Sequence, residues 1–328
     1  MTGPPTSRAR PEGRSMRRTI TTLAVAALAL GWTTACEPPP PPASFTVNVA
    51  PGVTGGDANP GDGVCETAPG NGQCTLDAAV QEGNALGRAD IHMTPTAEVS
   101  NPPVLSETTI TGQLTVISAY EGVVREFEIR APELHIAAGA RLALQQAELL
   151  VTGTTTVEGA LVLTRAMQVG WIDVRAGGLV SFDNSIGGVW ASDLPPPATN
   201  AWITNRGTVI LRFSEFQRFD HGAGTSMGAA FVHTLDGGST LIGATVFNRS
   251  GLASPDCLGT PPTSLGYNST SGCNLSGPGD LEGAGSFPLR DVPLGTLGCG
   301  TEVTVTWDGH PRPAPDGAPR CSRGVWHG

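Results

Sequence analysis

The sequence predicts an all-β chain wound as a right-handed parallel β-helix, with a short capping helix near its N-terminal end. The first observation behind this is a repeat. Gly159 leads to Leu161, Leu163 and Ala166; Gly178 to Val180, Phe182 and Ser185; Gly207 to Val209, Leu211 and Ser214; Gly238 to Thr240, Ile242 and Thr245. A period of two marks a short strand with one buried face, the glycine marks the turn before it, and the small residue marks a crowded corner. A fifth copy, Gly139 to Leu142, Leu144 and Ala147, carries one extra residue. The second observation is composition: 44 Gly, 28 Pro and 5% aromatics in 328 residues suit stacked coils of small and aliphatic side chains better than one large core. The third is that the repeat survives two insertions, Asp193 to Asn200 and Asp220 to Gly228, as solenoids with inserted loops do.

Residues 1–35 read as a secretory signal, with Met16 as an alternative start. Arg17 and Arg18 precede an apolar run from Leu23 to Trp32 that is too short for a comfortable membrane span. The run ends Thr33-Thr34-Ala35-Cys36, which resembles a bacterial lipobox and makes Cys36 the expected lipid attachment site. Thr33 stands where that pattern usually has leucine, and an ordinary cleavage site beside a chance cysteine is the alternative. Residues 36–44, with Pro38 to Pro42, then form a stiff polyproline tether. The chain is expected to be exported and held at the cell envelope or surface, or secreted if the lipobox is unused.

Residues 45–100 are expected to form an N-terminal cap. Phe45 to Asn48 reads as a first strand, and Leu76, Ala79, Val80 and Gly83 fall at helical offsets after Thr75, a natural N-cap. Such a helix could cover the open strand edge of the first coil. Between them Asp57, Asn59 and Asp62, with Glu66 nearby, offer oxygen ligands at a spacing that could wrap Ca²⁺, although ordinary Asx turns explain the same residues and the bidentate Glu of an EF-hand is missing. No other cofactor is expected. The coils proper are expected over 101–255, and a disulfide-containing cap and tail over 256–328.

Seven cysteines are odd; setting Cys36 aside leaves six in sequence-local pairs, Cys65 with Cys74, Cys257 with Cys273 and Cys299 with Cys321. Proximity is only a guide among 15 connectivities. Export would keep such bonds oxidised, and none has zinc-site or redox spacing.

Asp62-Gly63-Val64-Cys65, followed by Cys74-Thr75-Leu76, Ala79-Val80 and Asn84, resembles the N-terminal module of bacterial surface β-helix proteins named for the motif Cys-Ser-Leu-Arg-Glu-Ala. Asp77 and Ala78 replace that motif's Arg and Glu. Ser264 to Asn268, Cys273 and Gly277 to Leu281 are similar to the closing region of the associated choice-of-anchor β-helix domains of the Q type, and Asp308 to Pro313 with Cys321 to their tail. The resemblance implies a pectate-lyase-like right-handed parallel β-helix attached to the cell surface. It implies no particular activity.

A formal net charge of −10, with no lysine at all, excludes nucleic acid, whose phosphates need a basic stripe. It leaves the membrane to the lipid anchor alone. Glycan-cleaving β-helices need facing carboxylates, or a base with a cation beside the sugar carboxylate. The densest cluster here is Glu215, Arg218, Asp220 and His221; alternation sets Glu215 opposite Phe216, and a solvated outer face explains these charges without catalysis. Trp171, Trp190 and Trp202 could stack on sugars if they face outward. The sequence therefore predicts no enzyme but a lipid-anchored, adhesin-like or scaffolding surface protein whose partner is an extracellular glycan or a cell-surface protein. A carbohydrate-active lyase or hydrolase is the alternative.

Overall fold

A computed structural model describes residues 40–49, 53–94, 103–106, 108–118, 128–190, 199, 201–219, 230–248, 255–283, 290–306, 311–312 and 320–324. The expected signal segment, Cys36, most of the expected proline tether, the cluster residues Asp220 and His221 with the Arg218 side chain, and nearly all of the two inserted loops lie outside them.

The chain is an all-β parallel solenoid. Nine strands, 43–47, 88–93, 113–118, 141–145, 160–164, 179–183, 208–212, 239–243 and 263–266, pair in sequence order into one wholly parallel sheet. The predicted alternation sets its register. Leu142, Leu161, Val180 and Val209 stand side by side, as do Leu144, Leu163, Phe182 and Leu211, and every one is buried.

A second parallel sheet of thirteen strands carries the other two rows of each coil. In strand 167–174 the first residues pair with 186–188 and the last with 203–205, and the register shifts between Val169 and Trp171. Gly170 sits at that shift because a Cβ there would lie 2.2 Å from the Val151 carbonyl oxygen. In later coils the two rows separate into 186–190 with 201–205 and 215–219 with 230–234, with the inserted loops falling between members of each pair.

Two coil corners explain the repeat. Gln146, Arg165, Asn184, Phe213, Ala244 and Tyr267 all adopt left-handed backbone, φ 49° to 60°, directly before the second sheet's first row. The predicted small residues follow at once: Ala147 and Ala166 pack without polar atoms, whereas Ser185 Oγ donates to the Leu163 carbonyl at 3.1 Å. At the other corner Gly178 and Gly207 stack in successive coils. A Cβ on Gly207 would stand 2.3 Å from the Gly178 oxygen, which already accepts from the Thr208 amide at 2.8 Å. The fifth copy is offset for this reason: Ala140 occupies the stacking position and accepts from Ala160, while Gly139, φ 78°, is the turn residue before it.

Helix Leu76–Leu86 begins where expected, Thr75 Oγ1 accepting from the Ala78 amide at 3.0 Å, and ends at left-handed Gly87. Leu76, Ala79, Val80 and Gly83 are buried, and the helix contacts strands 43–47, 88–93 and 113–118. Asp77 is buried and accepts from the Ser106 amide and hydroxyl at 2.7 Å each. Asn84 accepts from the Thr111 and Gly112 amides.

The C-terminal segment runs back along the flank of the solenoid. Strands 290–293 and 320–322 pair antiparallel, and Val292, Cys299, Val303 and Cys321 pack on Phe213 and Ala244 of the left-handed corner row. Asn184 Nδ2 donates to the Val305 carbonyl at 2.8 Å, and the Gly324 amide to the Ala244 carbonyl at 2.8 Å. Cys65 and Cys74, Cys257 and Cys273, and Cys299 and Cys321 stand as disulfides with Cα separations of 5.1, 4.8 and 5.9 Å.

Candidate functional site

Glu215 does not lie on a solvated face. Alternation does send Phe216 inward and Glu215 outward, but the C-terminal strap covers the outer row there. Glu215 is 2% exposed, with Gly324 against its carboxylate. One carboxylate oxygen accepts from Gln217 Nε2 at 2.6 Å and Asn248 Nδ2 at 3.4 Å; the other has no hydrogen-bond partner among the described residues. Burial pushes the Glu215 carboxyl above its ordinary value of 4.5, and the two amide hydrogen bonds oppose that without cancelling it. A carboxylate sealed beneath the chain's own C-terminal segment meets no polymer, while Asp220, the other acid of that cluster, lies outside the described residues.

That burial has a pH signature. Above 4.5 the unfolded chain gives up this proton while the folded chain retains it, so the contribution of Glu215 falls as pH rises from 4.5 through the higher folded value; below 4.5 both states are protonated and the penalty vanishes. Glu215→Gln should therefore gain stability over the parent protein as pH rises above 4.5, with the difference growing until pH passes the folded value. Urea midpoints at several pH values check this, and a difference that does not change with pH rules it out.

The acidic loop is organised by its own backbone. Asp57 Oδ1 accepts from the Asn59 amide at 2.9 Å and Asp62 Oδ1 from the Val64 amide at 2.8 Å, both Asx turns. Glu82, fully buried on the helix, accepts from the Gly61 and Gly63 amides. Desolvation raises the Asp57 carboxyl, and the charges of Glu82, Asp62 and Glu66 add to it. Among the described residues no group of three or more His, Cys, Asp or Glu side chains is arranged to hold a metal ion. Two of the three candidate sugar-stacking tryptophans, Trp171 and Trp202, are interior, 4% and 2% exposed, and the Trp190 side chain lies outside the described residues.

What the coils do build is an open polar groove of about 560 Å³ where the second sheet's last row turns back toward the first sheet. Arg206, His233, Asp236, Gly259 and Thr260 line it. Stacking puts them together: the Arg206 amide bonds the Val174 carbonyl, Leu235 that of Asn205 and Thr260 that of Thr234, so one turn position recurs in successive coils. Arg206 Nη1 reaches Asp173 Oδ1 at 3.3 Å, while Arg175 Nη2 holds the other oxygen of Asp173 at 2.8 Å. Two guanidinium groups thus share one carboxylate. His233 Nδ1 lies 3.3 Å from the Thr199 carbonyl; a carbonyl only accepts, so Nδ1 carries the proton and Nε2 is left for the groove. Gly259, φ 75°, keeps the floor open, since a Cβ there would stand 2.0 Å from the Thr234 oxygen and 3.0 Å from the His233 ring.

Sequence reasoning missed this groove because its residues come from three coils and form no linear motif. The one available signal was the recurrence of turn positions after the second sheet's last row. No family model, no curated protein and no solved structure matches the chain.

Proposed function

We propose that this chain is a non-enzymatic, adhesin-like display protein, exported and tethered through Cys36, that presents a right-handed parallel β-helix and binds glycan along the Arg206–His233–Asp236 groove. One observation carries this reading: the groove is open and polar, with hydrogen-bond donors and acceptors of both charge signs, yet among the described residues Asp236 is the single carboxylate that lines it. Hydrolytic cleavage of a glycosidic bond uses a pair of carboxylates facing across it; binding needs no such pair. Helix 76–86 acts here as the cap of the first coil, a role supported by its contacts with the three leading strands of the nine-stranded sheet. The likeness to the Cys-Ser-Leu-Arg-Glu-Ala and choice-of-anchor proteins supports the same placement at the cell surface.

Two arms test the reading in one preparation. Cys36→Ser should move the protein from the membrane fraction to the medium. The purified protein should retain neutral and acidic oligosaccharides while returning them uncut. Turnover of any of them would replace display by catalysis, and a Cys36→Ser protein that stays with the membrane would remove the lipid tether.

A further inference from the structure

We propose that the groove recognises a single hexuronate carboxylate within an otherwise uncharged glycan, and that Arg206 reads it; this rests on the groove being the glycan-binding surface. Asp173 is held at 2.8 Å by Arg175, so its longer contact with Arg206 at 3.3 Å is the weaker claim on it. The Arg206 side chain is 41% exposed and lines the groove. Its planar fork has donors to spare, and a guanidinium engages a carboxylate through two parallel hydrogen bonds where an ammonium presents only a point charge. A sugar carboxylate is thus the group that Arg206 suits.

The remaining lining residues suit hydroxyl groups. Thr260 donates and accepts, Asp236 accepts, and His233 presents Nε2 because its Nδ1 proton faces Thr199. One guanidinium among several hydroxyl partners matches a hexuronate, which carries one carboxylate on a ring of hydroxyls. Charge decides against a polyuronate. Arg175 and Arg206 are balanced locally by Asp173 and Asp236, and the whole chain carries −10, so a polymer with a carboxylate on every ring would be repelled along its length. Isolated uronates on a neutral backbone avoid that repulsion.

Titration calorimetry on the whole protein tests the assignment with xylotriose bearing one glucuronate and with galactotriose bearing one galacturonate. Each is run beside its own carboxyl-reduced counterpart, which keeps every ring and loses only the charge. At least one uronate probe should bind, with its reduced counterpart about 10- to 100-fold weaker, the range of a charge-assisted pair. Arg206→Gln should bring the two to equal affinity with an unchanged melting temperature, and Arg206→Lys should restore part of the difference. Equal affinity of the parent protein for a probe and its reduced form would overturn the carboxylate assignment while leaving glycan binding intact. Failure of all four compounds to bind would overturn the glycan reading together with it.

Discussion

Phe216→Ala is expected to cost about 3 to 5 kcal/mol of unfolding free energy, the range for truncating a buried aromatic ring. The Phe216 ring is fully buried and is the hub of the interior aromatic cluster. Its centroid lies 5.2 Å from those of Phe182 and Trp202, 5.3 Å from Phe247 and 6.3 Å from Phe231. In register beside it stands Gly187, where a Cβ would come within 2.7 Å of the ring and 2.3 Å of Trp202. The missing side chain of one coil is filled by the ring of the next.

Truncation would leave a cavity that the structure has little means of closing, because the hydrogen-bonded ladder fixes the spacing of coils along the stack. In a solenoid each coil leans on its neighbours, so the loss should spread to adjacent coils rather than remain local. Urea unfolding followed by tryptophan fluorescence reads it directly, since Trp202 touches the ring. Phe216→Leu should recover much of the loss. A loss below about 1 kcal/mol for Phe216→Ala would mean that the cluster repacks and is not the interior anchor described here.

How much of this was legible depends on the range of the interaction. Six strands of the nine-stranded sheet, those over 43–47, 141–145, 160–164, 179–183, 208–212 and 239–243, were readable because alternation such as Leu161-Val162-Leu163 is a local pattern with a local cause, whereas 88–93, 113–118 and 263–266 fall outside the glycine-led repeat. The Thr75 cap and the buried face of helix 76–86 were readable likewise. The glycine of each repeat was found but its role was not uniform, because a turn glycine such as Gly139 and a stacking glycine such as Gly178 look alike until the carbonyl above them is in place. Glu215 was misread for a related reason. Its outward direction followed from alternation, but its cover comes from residue 324, and no pattern near position 215 announces a contact of that sequence separation. The groove was illegible on the same principle: Arg206, His233 and Thr260 become neighbours through the pitch of the coils, while the inserted loops make their sequence intervals irregular. In a solenoid with insertions, the buried faces are written in the sequence and the outer surfaces are written in the stacking.

Arg323 ties the strap that hides Glu215 to the last coil, and Arg323→Ala should loosen it. Arg323 is 1% exposed, yet each guanidinium nitrogen is engaged: Nε donates to Asp291 at 2.8 Å, Nη1 to the Asn268 carbonyl at 2.6 Å, and Nη2 to the Gly279 carbonyl at 2.7 Å and to Asp291. These contacts join the strap to the closing loop of the last coil. Removing the guanidinium would leave two carbonyls and the Asp291 carboxylate without that partner, and breaking a buried ion pair from one side costs about 3 to 5 kcal/mol. The Asp291 side chain is 30% exposed and can recruit water, so the lower end of that range applies. The Arg312 guanidinium stacks 4.9 Å over Phe213 and donates to the Ser322 carbonyl, which also steadies the strap. The expected result is local: hydrogen exchange should accelerate across 290–306 and 320–324 and at the newly uncovered 213–217, while strands 141–145 and 160–164 keep their protection. Arg323→Met, which retains bulk without charge, should loosen the same segment less. Unchanged exchange in the strap would show that the disulfide-bonded cluster around Val292 and Cys299 holds it unaided. Loss of protection throughout the solenoid would instead make the strap a structural part of every coil it crosses.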